Sequence, residues 1–378
     1  MLHKVSRSFT VVIQQLDDEL KDPVCIFYLV LRGLDSVEDD MTFPLENKLP
    51  LLRCFYEKLE QPGWNIENVG DSPDYRDLMA DFDRVIPAYQ ALKPEYRAVI
   101  SDITKRMGAG MAEFAELGAK LGKGSVVSVE KYNLYCHYVA GLVGIGLSQL
   151  FSASGLEAPE VAKQEKLANS MGLFLQKTNI IRDYLEDQDQ ERTWWPQEIW
   201  GQYADTLDWF GKHPDSPKSL ACLNHMVTDA LAHLPDCVAY LSMLKSPTIF
   251  EFCAVPQVMA LATLAKVYNN LAVFRGVVKI RKGFSCEMML NCNDMDMVHY
   301  YFNSLSAEFL AKTPAADLAK STVGAVALKN IETAMRLTQE GSDRVRKRSN
   351  YKFIVPVVTG VLAAAVAYYA VSARGPKA

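Results

Sequence analysis

The chain has 378 residues, 49% hydrophobic and 22% charged, a globular composition that excludes a disordered, collagen-like or disulfide-stapled protein. Forty basic residues against forty-five acidic ones give a formal net charge of −5, so no general positive excess is available to hold a nucleic-acid backbone. Eight cysteines without a C-x-x-C pair offer neither a zinc site nor a dense disulfide framework and suit a reducing compartment.

The first twenty residues mix charge into every turn and lack an uninterrupted apolar stretch, which argues against a secretory signal. An apolar run, Cys25 to Leu31, leads into Arg32-Gly-Leu-Asp35-Ser-Val-Glu38-Asp39-Asp40, where helical spacing stacks Asp35 beneath Asp39. Turn residues cluster at 44–50, 62–73 and 213–217 without dividing the chain. Apolar residues three and four apart recur over 102–121 and 248–275, and sustained period-two alternation is missing. The expectation is an all-α fold with one helical domain over 1–330. His137 sits inside an apolar helical run and reads as a packing residue; Gly141 to Gly146 has the wrong spacing for a dinucleotide fingerprint, and no G-x-S-x-G nucleophile elbow occurs.

A second apolar helix, Gly172 to Ile181, ends in Arg182-Asp183-Tyr-Leu-Glu186-Asp187 and repeats the aspartate spacing of the first cluster. Like charges at i,i+4 weaken a helix, and burying them without compensation costs several kcal/mol, so something cationic must offset them. Hard carboxylate oxygens without accompanying cysteine or histidine favour Mg²⁺, which binds through one or two carboxylates plus water and substrate phosphates. Two such clusters therefore imply a diphosphate between them. Neither has the alternate-residue ligands and central glycine of an EF-hand loop.

Residues 311–350 grow more polar, and 331–352 read as a basic connector. Phe353 to Ser372 are twenty residues without a charge, about 30 Å as a helix, long enough to cross a bilayer. Arg344, Arg346, Lys347, Arg348 and Lys352 precede this segment and only Arg374 and Lys377 follow, so the positive-inside bias keeps the body in the cytosol. The expectation is a tail anchor over 353–372.

The segments SRSF (6–9), FYLVLRGLDSVEDD (27–40), RMGAGMAEF (106–114), YCHYVAGLVGIGLSQLF (135–151), NSMGLFLQKTNIIRDYLED (169–187), FCAVPQVMALATL (252–264) and VKIRKG (278–283) together resemble the eukaryotic squalene synthase family over nearly the whole chain. That resemblance implies the isoprenoid synthase fold with a central cavity. It implies head-to-head condensation of two farnesyl diphosphates to presqualene diphosphate and then NADPH-dependent formation of squalene, the committed step of sterol synthesis. The implied setting is the endoplasmic reticulum membrane, with a monomeric catalytic unit and no nucleic acid. Asp35, Glu38, Asp39, Asp183, Glu186 and Asp187 are the implied Mg²⁺ ligands. Ser6, Arg7, Ser8, Tyr28, Arg32, Gln176 and Arg182 are the implied substrate contacts. Tyr135 matches a tyrosine of the first half-reaction and Phe252 an aromatic of the second, acting with Asp35 and Asp183. Asn179, Lys279, Arg281 and Lys282 are the implied NADPH contacts.

Family members usually carry several dozen residues ahead of SRSF, which here begins at Ser6, so a shortened N-terminus is expected. Competing readings are a relative that stops at the cyclopropyl intermediate or makes phytoene, and a catalytically dead helical scaffold. VKIRKG and the apolar tail weigh against the first, and the full acidic set against the second.

Overall fold

A computed structural model describes residues 1–6, 9–121 and 126–348. The expected membrane anchor at 353–372, Arg7 and Ser8 lie outside the described residues. Two short helices, Leu2–Ser6 and Phe9–Gln14, lead into α1 (Asp18–Asp39), α2 (Leu45–Lys58), α3 (Pro73–Ala80) and α4 (Pro94–Leu121). Then come α5 (Val129–Ala153), α6 (Glu165–Arg182), α7 (Tyr184–Asp189), α8 (Pro217–Leu231), α9 (Leu234–Leu241) and α10 (Pro247–Val267). The described chain closes with α11 (Lys282–Asn291), α12 (Met295–Lys312) and α13 (Thr322–Arg348). No strand occurs among the described residues, in keeping with the periodicity.

Several helix starts follow from local chemistry. Ser72, Ser128 and Ser246 each accept a hydrogen bond from the backbone N–H three residues on, and Pro73 and Pro247 stand at first helical positions. α10 stops at Val267, short of the periodic stretch reaching 275, because Asn269 takes φ +56 and a 3₁₀ turn, Leu271–Phe274, follows. The stretches Val129–Ala153 and Pro247–Val267 are long and apolar enough to cross a bilayer, but 50% and 78% of their most apolar windows are buried inside the protein. Pro247–Val267 lies in the core, as a helix apolar on most sides should, and Val129–Ala153 packs against the core with one side on the cavity.

The backbones of α5 and α6 touch. A Cβ on Gly144 would lie 2.3 Å from the Ala168 carbonyl oxygen, and one on Gly172 would lie 2.2 Å from that of Ala140. Only glycine fits at either position. Beside this crossing α5 carries a π turn, His137–Gly141, whose His137 Nδ1 is 2.7 Å from Asn169 Oδ1 on α6. An inserted residue of this kind rotates one half of a helix against the other.

The boundary expected at 330 falls inside α13. Its apolar stripe, Ile331, Ala334 and Val345 with Gly341, is buried, and Asp296 on α12 pairs with Arg344 at 2.7 Å and Arg348 at 3.0 Å. The polar composition of this segment reflects an amphipathic helix with one wet face; the expected connector is thus helix as far as Arg348. All eight cysteines are free thiols.

Candidate active site

The C-terminal ends of α1 and α6 open onto one cavity of about 920 Å³. Asp35, Glu38 and Asp39 from α1, and Asp183, Glu186 and Asp187 from the end of α6 and α7, all line it. The first cluster sits at the negative end of the α1 dipole, which adds to the repulsion among its carboxylates, whereas Glu186 and Asp187 lie in the first turn of α7. α6 ends at Arg182, and Asp183, at φ −94 and ψ 17, is the joint between it and α7.

The two clusters meet at Arg192. Its Nη1 donates to Asp39 Oδ1 at 2.7 Å and its Nε lies 3.3 Å from Asp187 Oδ1, with the side chain 17% exposed. Carboxylates from two helices thus reach a single guanidinium, so they lie close enough to share a ligand. Arg182 forms a bidentate pair with Asp183 at 2.7 and 2.6 Å, and Arg32 approaches Asp35 at 3.3 Å. Arg32 is also flanked by the rings of Tyr75 and Tyr28, 5.1 and 5.7 Å from its centre, and its buried Nε has no hydrogen-bond partner. Buried Lys48 donates to the Glu38 carbonyl at 2.8 Å and so caps the negative end of α1.

Electrostatics show how incompletely these cations serve. Burial pushes the Asp35 carboxyl up to about 6; Arg32 opposes the rise and Asp39 adds to it. Burial likewise raises Asp187 to about 7 against the pull of Arg192, with Asp183 and Asp39 contributing. Glu38 and Asp39 are also raised, burial first, with neighbouring acids adding and Arg192 and Lys48 opposing. Such shifts mark negative charge that a further cation would stabilise. Among the described residues no three histidine, cysteine, aspartate or glutamate side chains converge as they stand to hold an ion. The six oxygen-bearing carboxylates around one cavity are nonetheless the donor chemistry that Mg²⁺ takes, and Arg192 stands between the two clusters.

Tyr135 lines the cavity from α5, 4% exposed, with its ring stacked on Trp194 at 3.8 Å and 10°. Burial holds its phenol well above the usual range, reinforced by Glu38 and Asp39. Gln176, Asn179 and Arg182 reach the cavity from α6, and Lys279 from the segment before α11. Arg281 and Lys282 are exposed at the start of α11 and do not line it. Three other expected residues also stand off the cavity wall. Ser6 is buried and hydrogen-bonded to Thr10; the Tyr28 hydroxyl donates to the Val5 carbonyl at 3.2 Å. Phe252 packs edge-on to Phe151 in the core, one turn from Val255 and Pro256, which do line the cavity.

Arg192, Trp194, Asp71 and Tyr75 line the cavity and were not expected from sequence. The R-T-W-W-P string five residues after Asp187 was the available signal, since an acidic pair this buried calls for a nearby guanidinium.

A family model described as squalene/phytoene synthase matches residues 2–283. The chain is 45% identical over 363 residues to squalene synthase of Homo sapiens, covering 96% of this chain and 84% of that protein. It is 47% identical over 332 residues to squalene synthase of Rattus norvegicus, covering 88% and 77%. A solved structure of TcSQS in complex with a ligand superposes with TM-score 0.84 at 42% identity, covering 90% of this chain and 97% of that one. A dehydrosqualene synthase complex, at 18% identity and TM-score 0.52, has a similar fold.

Proposed function

The chain belongs to the squalene/phytoene synthase family, and we propose that it joins two farnesyl diphosphates head to head into presqualene diphosphate and then converts this to squalene with NADPH. The observation that carries this reading is the meeting of two acidic helix ends across one cavity, close enough to bind a single guanidinium. Asp35, Glu38, Asp39, Asp183, Glu186 and Asp187 would hold Mg²⁺. Once bound, the ion stabilises the negative charge of a departing diphosphate.

The protein's own groups complete the chemistry. Arg32 and Arg182 present guanidinium donors to diphosphate oxygens. Tyr135, which keeps its proton at neutral pH, is a hydrogen-bond donor toward the leaving group. The first step releases one diphosphate from C1 of one substrate, and the cyclopropane closes with loss of a proton. Phe9, Val139, Leu175, Val255, Met259 and Ile280 line the rest of the cavity and exclude water that would quench an allylic cation. Asn179 and Lys279 share that cavity, with Arg281 and Lys282 outside it, a basic group suited to the phosphates of NADPH. NADPH, if held there, would supply the hydride that balances departure of the second diphosphate.

We further propose that residues 353–372 anchor the protein in the endoplasmic reticulum membrane with the helical body cytosolic, where squalene enters sterol synthesis. The uncharged run and the basic residues before it support this reading.

The test is product analysis with farnesyl diphosphate and Mg²⁺, with and without NADPH. Presqualene diphosphate without reductant and squalene with it are expected. Accumulation of the cyclopropyl intermediate with reductant present, or no product in either case, would overturn the proposal.

A further inference from the structure

Arg192 reaches the cavity from a turn fastened to the helix that bears Asp187. Its backbone N–H donates to the Asp187 carbonyl at 2.8 Å, Gln188 Nε2 donates to the Arg192 carbonyl at 3.3 Å, and Glu191 between them takes φ +57. Two residues on, Trp194 lies against Tyr135. A left-handed non-glycine residue, a backbone tie and a ring stack thus aim one guanidinium at Asp39 and Asp187 together.

That position lies between the two carboxylate clusters, where a shared divalent ion would also bind. An ion seated between the clusters on the Oδ1 atoms of Asp39 and Asp187 would take the very oxygens that face Arg192 and draw them from it. The guanidinium, 17% exposed, then stays close to the incoming positive charge with its carboxylate pairing weakened unless an anion arrives with the metal. Diphosphate is such an anion.

We propose that Arg192 is an internal counter-cation that takes the divalent ion's place between the clusters and makes metal and diphosphate binding cooperative: the ion alone is resisted, and the ion with diphosphate is accepted. This rests on the reading of the six carboxylates as the metal site. Reciprocity requires that diphosphate and metal strengthen each other's binding by the same factor.

The test is Mn²⁺ binding to the full protein, followed by electron paramagnetic resonance, with and without inorganic pyrophosphate. Arg192→Gln is expected to bind Mn²⁺ alone about tenfold to a hundredfold tighter than the parent, the factor corresponding to one charged hydrogen bond no longer given up. Its gain from pyrophosphate is expected to shrink, and its metal-free melting temperature to fall. Arg192→Lys, whose point charge serves one carboxylate at a time, is expected to lie between the two. A merely structural arginine would leave Mn²⁺ affinity unchanged or weakened on removal; that result, in either variant with folding intact, overturns the proposal. Asp183→Asn distinguishes the two readings: loss of parental Mn²⁺ binding in this variant upholds the metal site whatever Arg192 does. A parent that binds no Mn²⁺ with or without pyrophosphate overturns both.

Discussion

Replacing Gly172 by alanine tests the tie between helix packing and the cavity. The added Cβ would meet the Ala140 carbonyl oxygen at 2.2 Å, whereas ordinary contact begins at 3.4 Å, so α6 must move from α5 by about 1.2 Å. Alanine gains about 1 kcal/mol over glycine in a helix, but overpacking against a backbone costs about 1–3 kcal/mol or more. The expected net is a loss of about 1–2 kcal/mol in chemical denaturation. Because α6 carries Asn179 and Arg182 and α5 carries Tyr135, the same movement shifts the two walls of the cavity, and product formation is expected to drop about a hundredfold. Gly118→Ala on α4 is the control: nothing lies within 4 Å of its Cβ, so helix propensity alone acts and stability is expected to hold or rise. A Gly172→Ala protein as stable and active as the parent would refute the close approach.

Further outcomes follow from the site and core. Asp35→Asn or Asp183→Asn is expected to lower product formation a hundredfold or more, since several kcal/mol of charge stabilisation is lost, and to abolish the thermal shift given by Mg²⁺ with a farnesyl diphosphate analogue; an unchanged shift would show that these carboxylates hold no ion. Burial lowers the His233 imidazole to about 3, with Lys177 adding. The unfolded chain binds that proton near 6.5, so stability is full above 6.5 and is lost as pH falls toward 3, by up to about 5 kcal/mol. His233→Gln is expected to flatten urea-measured stability over that interval, and an unaltered slope would contradict the assignment. Lys177, 1% exposed, donates to Asp229 at 2.7 Å; Lys177→Met should cost about 3–5 kcal/mol, and Asp229→Leu on that background should restore much of it. Additive losses in that double-mutant cycle would mean the pair is not coupled.

The sequence made the acidic clusters and the helical class legible because both are local signals: an i,i+4 aspartate pair and a 3.6-residue apolar period need no tertiary information. The backbone break that makes Asp183 a joint between two helices was not legible, since no glycine or proline lies between Asn179 and Asp189 to mark it. Arg192 was hidden for a different reason. Its pairing with Asp39 spans 153 positions and depends on a left-handed Glu191 that no residue type announces. Helix 322–348 was obscured by its charge: with one buried stripe against α12, its polar residues dominate the composition. Ser6 and Phe252, expected from family resemblance, stand behind the cavity wall in this conformation, where Thr10 and Phe151 hold them.

The central claim is that the ends of α1 and α6 grip one metal–diphosphate between them. Its most direct test is a crystal structure of the protein with Mn²⁺ and a non-hydrolysable farnesyl diphosphate analogue, with the metal located by anomalous scattering. Manganese bound by carboxylate oxygens of both helix ends, with the diphosphate between them, is the expected result. Manganese held by one cluster alone, or outside the cavity, would contradict the account.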